Sequence, residues 1–235
     1  TGLRLDPLLL DWNNAGKHLK SWGYEVDENL SDASCLEIIR FLNDWKEKIN
    51  PLYLMVSLPP TFAYPAHDAT SKILKEAVIP FCRDSGLPLA LMIGVKRAVN
   101  PGLQLAGDGL GRADLVALEN LCAENLDVKF LCTVLSRENQ QELCVIGRKF
   151  RNLHIFGCWW FTNIPSIIDE MTRLRMELLG TSFTAQHSDA RVLDQVIYKW
   201  DHSRQIMTDV LTDKYTDLTQ TGWSLTDQAI QRDVN

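Results

Sequence analysis

Short runs dense in apolar and β-branched residues alternate along this chain with longer segments whose apolar residues return every three or four positions. The short runs have the length and composition of buried strands, and the longer segments have the period of amphipathic helices. Six strands are predicted, at residues 2–5, 53–58, 89–95, 129–135, 154–158 and 182–186. Between the first two, Cys35, Ile38, Ile39, Leu42, Trp45 and Ile49 fall on one helical stripe, and Ser34 followed by Glu37 reads as a capping box at its start. Ile73, Leu74, Ala77, Val78 and Phe81 form a second stripe, which Pro80 is expected to kink or end. Leu115, Leu118, Leu121 and Cys122 give a third, and Leu143, Ile146 and Phe150 a fourth. A fifth carries every terminal cue. Pro165 suits its first turn, Asp169 and Glu170 lie early, Arg173 and Arg175 late, and Gly180 stops it, with Ile167, Ile168, Met171, Leu174 and Leu178 as its core face. After the last strand, the stripe Val192, Val196, Ile197 and Trp200 and the stripe Ile206, Val210, Leu211 and Leu218 predict two consecutive helices and no further strand.

Strands alternating with helices imply a parallel sheet, because parallel neighbours need a long crossover. That leaves a barrel or a doubly wound sheet, and in both the ligand site lies at the carboxyl ends of the strands. No Gly-x-Gly-x-x-Gly turn follows a strand and no phosphate-loop lysine is present, so nucleotide binding has no support and the barrel gains. No low-complexity stretch or Gly/Ser linker divides the chain, so residues 1–235 read as a single domain.

Charge and cysteine content narrow the partners. Lys and Arg total 24 against 30 Asp and Glu, a net charge of -6. A nucleic-acid partner is therefore not expected, since phosphate binding rests on excess positive charge. No run approaches the roughly 20 apolar residues of a membrane helix, and the first residues lack the pattern of a signal peptide, so the expected location is cytoplasmic with no membrane partner. The six cysteines are scattered, without a Cys-x-x-Cys pair, and read as reduced core thiols.

The polar residues that follow the predicted strands are the candidate chemistry: Arg4 and Asp6, Ser57, Lys96 and Arg97, Ser136 and Arg137, Trp159 and Trp160, and His187, Asp189 and Arg191. In a parallel barrel they ring one mouth. Each alone is equally well a loop charge or turn residue. Gln186-His187-Ser188-Asp189-Ala190-Arg191 is the densest group. It offers a metal ligand or base, a carboxylate, and a guanidinium suited to bidentate carboxylate binding, although Ser188 or Asp189 would also serve as a helix N-cap. Trp159 and Trp160 could fill core or wall a sugar ring, and because adjacent strand residues point opposite ways only one is expected to face the barrel interior. Arg4 could clamp an anion or simply pair with Asp6. The five histidines show neither His-x-His nor His-x-x-x-His, so no self-contained zinc triad is present in the sequence.

Glu119-Asn120-Leu121-Cys122, Leu135-Ser136-Arg137-Glu138-Asn139-Gln140, Phe156-Gly157-Cys158-Trp159-Trp160-Phe161 and the cluster from His187 to Arg191 resemble the uronate isomerases, also called glucuronate isomerases, of the amidohydrolase superfamily. The likeness runs from the Leu3 to Pro7 motif to Arg232-Asp233-Val234. It implies an α/β fold, a (β/α)8 TIM barrel of amidohydrolase type, present here as about six of the eight βα units, strands 3 to 8. It implies isomerisation of D-glucuronate to D-fructuronate, or of D-galacturonate to D-tagaturonate, in hexuronate catabolism. By motif, Asp189 corresponds to a metal ligand and proton carrier and Arg191 to its catalytic neighbour. Arg4, Arg137, Trp159, Trp160 and His187 correspond to the substrate pocket. The cofactor implied is a divalent metal, zinc, whose remaining ligands belong to a His-x-His motif on N-terminal strands that this sequence lacks. On that expectation the chain is the C-terminal portion of the catalytic domain and binds little or no metal by itself. Some relatives carry a histidine before Ile-Gly in the fifth strand, where this chain has Met92-Ile93-Gly94. The resemblance leaves room for a homo-oligomer. Another amidohydrolase-type hydrolase or decarboxylase would share the barrel, and a non-catalytic barrel fragment could bind a sugar acid or a partner subunit.

Overall fold

The computed structural model describes residues 1–186, 190 and 192–234. All six predicted strands form: β1 (Gly2–Arg4), β2 (Tyr53–Leu58), β3 (Leu89–Ile93), β4 (Phe130–Val134), β5 (Leu153–Phe156) and β6 (Phe183–Thr184). They make one sheet in strict chain order, every neighbouring pair parallel. This order decides between the two architectures that the sequence left open. A doubly wound sheet reverses its strand order at a switch point, whereas a (β/α) barrel never does. The described strands do not close on themselves, and β1 and β6 are the two edges.

Register fixes which side chains share a face. Leu54, Val56, Leu58, Leu89, Leu91, Ile93, Phe130, Cys132, Val134, Leu153 and Ile155 point to the helical layer and join its stripes in the main core. The intervening residues line the inner face. Ser57, Met92, Thr133, Phe156 and Thr184 fall on one level across five strands, with Met55, Ala90, Leu131 and His154 on the level before it.

Helix α1 (Asp6–Leu10), a short helix with Pro7 in its first turn, and α2 (Trp12–Ser21) follow β1 directly and are not among the predicted helices, although Trp12, Ala15, Gly16 and Leu19 of α2 fall on one buried stripe. Helix α3 (Asp32–Ile49) corrects the expected capping box. The cap is Ser31, whose side chain accepts from the Ser34 amide, while Glu37 already lies inside the helix and pairs with Arg40. Pro80 has the expected effect in a specific form. Between α4 (Ala69–Ile73) and α5 (Ile79–Ser85) the backbone widens into a π turn over Leu74–Val78, which accommodates the missing proline N–H. Helices α6 (Val116–Glu124), α7 (Gln140–Lys149) and α8 (Pro165–Leu179) are the remaining crossovers, and α8 ends at Gly180 as expected. The two helices predicted after the last strand are one, α9 (Leu193–Gln220), because Asp201 to Gln205 contain no breaker. Helix α10 (Asp227–Val234) follows. No helix among the described residues is long and apolar enough to cross a membrane, and all six cysteines are buried free thiols.

Candidate functional site

The carboxyl ends of the strands meet at one end of the sheet, and their first following residues build its rim. On the β1 and β2 side, Arg4 Nε donates to Asp6 Oδ2 at 2.8 Å and Arg4 Nη2 to Asp6 Oδ1 at 3.1 Å. Nη2 also donates to Ser57 Oγ at 2.9 Å. The ion pair that was an alternative reading of Arg4 is thus formed. The arginine side chain remains 55% exposed, whereas Asp6 is largely covered. Asp6 and Ser57 together orient an exposed guanidinium at the mouth.

After β3, Gly94 turns with φ at +120°, where a Cβ would meet the Gly111 carbonyl at 3.1 Å, so a side chain is excluded on two counts. The chain then leaves as a two-stranded antiparallel ribbon, Val95–Lys96 against Gly109–Leu110, instead of the straight strand end expected to residue 95. Arg97 pairs there with Asp108, whose carboxyl is held below its usual range by the Ala98 amide and by Arg97.

The β4 end carries Ser136 and Arg137. Ser136 donates to Glu138 and holds that carboxyl below its ordinary value. Arg137 Nε bonds Glu170 of α8 at 2.8 Å. Arg137 therefore stands on the rim tied to the helical layer, not to Arg4's partners.

The β5 end departs most from the strand pattern. The strand stops at Phe156, two residues before the predicted end, because Gly157 takes φ of +64°. Trp160 is also left-handed, at +49°. With the alternation broken, Trp159 and Trp160 do not point to opposite faces. Both pack on the inner-face cluster of Met92, Val95 and Leu135, Trp159 at 3% exposure and Trp160 partly covered. Their ring centroids are 6.3 Å apart, and Trp160 stacks on Phe161 at 4.6 Å. Deeper on the same face, His154 Nε2 and Thr184 Oγ1 are 2.9 Å apart, and burial lowers the imidazole pKa below 6.5.

Three comparisons bear on what this mouth belongs to. No family model matches the chain, and no curated protein does. Among solved structures, a uronate isomerase from Bacillus halodurans C-125 is 52% identical with a TM-score of 0.97, over 99% of this chain and 55% of that one. Along almost its whole length this chain is similar to a uronate isomerase. A uronate isomerase from Thermotoga maritima (13% identity, TM-score 0.71, 98% of this chain and 58% of that chain) shares the fold. So does a glucuronate isomerase from Caulobacter crescentus (15%, 0.72, 98% and 54%). The chain thus spans little more than half the length of the uronate isomerases that it matches, and its six strands are an incomplete part of their barrel.

Of the residues that the resemblance points to, Arg4, Arg137, Trp159 and Trp160 all stand at the carboxyl ends of the strands. His187, Asp189 and Arg191 lie outside the described residues. Gln186, just before them, is 5% exposed, and neither end of its amide has a hydrogen-bond partner among the described residues. No group of three His, Cys, Asp or Glu side chains suited to a metal occurs among the described residues. The described donors thus do not by themselves supply the three protein ligands of a catalytic zinc site. Two residues escaped the sequence reading. Arg175, assigned to the helix-dipole end of α8, is 1% exposed, and Gln140 is buried with it. Arg175 follows Met171 by four positions and Ile168 by seven, so its place on the buried stripe was available as a signal.

Proposed function

We propose that the protein containing this chain is a uronate isomerase that interconverts a hexuronate aldose and its 2-keto form. The observation that carries this reading is the 52% identity maintained over 99% of the chain. In such a reaction a base takes the C2 proton, and the electron pair forms the C1–C2 double bond of an enediol as O1 gains a proton. Return of a proton to C1 with loss of the O2 proton leaves the ketone at C2. The demands are a proton carrier near C2, a cation for the developing oxyanion, and an anchor for the distant carboxylate.

Arg4 suits the anchor. Its guanidinium matches a carboxylate bidentately, and its exposed pair with Asp6 is of the kind worth only about 0 to 1 kcal/mol, so a substrate carboxylate can compete for it. Trp160, with Trp159 behind it, suits a wall for the sugar ring. By motif, Asp189 would carry the proton and be one metal ligand, Arg191 would assist it, and Arg137 and His187 would complete the pocket. The divalent metal, zinc by family resemblance, would supply charge at the oxyanion when bound. The reading includes a small-molecule hexuronate as substrate, no nucleic-acid or membrane partner, and a cytoplasmic setting in keeping with six free buried thiols.

Product analysis with the complete protein tests it. Incubation with D-glucuronate and with D-galacturonate should give D-fructuronate or D-tagaturonate. Release of carbon dioxide or hydrolysis of an ester or amide, with both uronates unchanged, would transfer the protein to another reaction of the same barrel.

A further inference from the structure

Arg175 is a buried cation that the mouth chemistry does not use. It projects from α8 into the layer between helices and sheet, and no carboxylate pairs with it among the described residues. Its Nη1 donates to the Gly157 carbonyl at 2.8 Å and its Nη2 to Gln140 Oε1 at 3.4 Å. Gln140 in turn donates from Nε2 to the Val134 carbonyl at 3.1 Å and the Ser136 carbonyl at 3.2 Å. The guanidinium carbon lies 5.9 Å from the ring centre of Phe183. One side chain thereby reaches the carboxyl end of β4 through Gln140, that of β5 directly, and β6 by its face.

What it holds is strained. Between two left-handed residues, Gly157 and Trp160, the chain turns sharply, and a left-handed tryptophan persists only where the surroundings impose it. The imposing bonds are visible. Gly157 N–H donates to the Thr184 carbonyl at 2.7 Å while its carbonyl receives Arg175. Asn163 Nδ2 donates to the Cys158 carbonyl at 3.0 Å, and Thr162 donates to the Trp159 carbonyl from both its amide and its hydroxyl. A methionine at position 175 would fill the space without desolvating a charge, so packing alone does not account for an arginine. A fork able to bond two oxygens at once does.

We propose that Arg175 is a positioning residue. Through the Gly157 carbonyl and Gln140 it sets the conformation of the turn that presents Trp159 and Trp160, and it keeps that turn in register with the Ser136–Arg137 rim. Its kinetic consequence rests on the uronate isomerase reading, whereas its structural consequence does not.

The test uses both. The chain has seven tryptophans, and 5-fluorotryptophan labelling gives each a fluorine resonance, with Trp159 and Trp160 assigned by their phenylalanine variants. In Arg175→Met the Trp159 and Trp160 signals should shift and broaden, while those of Trp12, Trp22 and Trp45 stay in place. Arg175→Lys keeps the charge but cannot fork to both oxygens. It should move the same two signals less, and it carries the test if the methionine variant does not fold. In the complete protein, kcat/KM for the uronate should fall on the order of tenfold to a hundredfold, the scale of an ångström's misplacement, at temperatures where the variant is folded. Unmoved Trp159 and Trp160 signals in both variants would overturn the proposal, as would full kcat/KM in a variant whose signals have moved. If the parent protein does not turn over uronates, the functional reading fails, and the fluorine signals still decide the role of Arg175.

Discussion

The two sides of the mouth are built on opposite principles. On the β1–β2 side, Arg4 is exposed and oriented by a carboxylate two residues away and a hydroxyl on the neighbouring strand. On the β5–β6 side, the tryptophan turn is backed by a guanidinium buried from solvent and tied to carbonyls across two strands. Water screens the first arrangement, so it adds little to stability and can exchange one carboxylate for another. The second is screened hardly at all, so its bonds resist rearrangement. A site that must release an anionic product while keeping a sugar ring in one orientation has use for both.

The largest effect should come from emptying the buried side. Arg175→Ala removes a forked donor, leaves the Gly157 carbonyl unsatisfied and opens a cavity, for a loss of about 3 kcal/mol in urea denaturation. A loss below about 1 kcal/mol would mean that the two sides are not energetically different. Next in size is Gly157→Ala, which puts a Cβ at a φ of +64°. It should cost about 1 to 2 kcal/mol and shift the Trp160 environment, with near-ultraviolet circular dichroism as the readout.

These two residues also mark where the sequence was legible and where it was not. The strands were readable because a parallel sheet buried on both faces writes each strand as a short apolar run. The Arg4–Asp6 pair was readable because its partners are two positions apart. Arg175 bonds groups 18 and 35 positions away. Nothing local says which carbonyls a helix residue will reach, and its charge argued for the surface. The alternation rule failed at Trp159 and Trp160 for a related reason. It presumes a strand, and the strand had been ended by Gly157.

A smaller effect concerns His154, on the inner face beneath the turn. Burial lowers its pKa, so as pH falls below 6.5 the unfolded chain takes up this proton before the folded chain does. Its contribution to stability is complete above pH 6.5 and is lost as pH falls through the lower folded value. His154→Gln should therefore flatten the acid side of the stability profile between pH 7 and 5, measured by urea midpoints at each pH. A profile identical to the parent's would mean that the imidazole is protonated in both states alike. The smallest stability change is expected for Arg4→Met, below about 1 kcal/mol, because the bonds to Asp6 and Ser57 are made by a side chain that is 55% exposed.

That same variant should have a large effect on catalysis, and its steady-state kinetics on D-glucuronate in the complete protein test the functional account most directly. An anchor contact is kept from ground state to transition state, so its loss raises KM and spares kcat. The account predicts a KM higher by roughly ten to a hundredfold, the worth of charge-assisted hydrogen bonds, with kcat little changed. A kcat reduced by that factor at unchanged KM, or a parent protein that leaves D-glucuronate untouched, would contradict it.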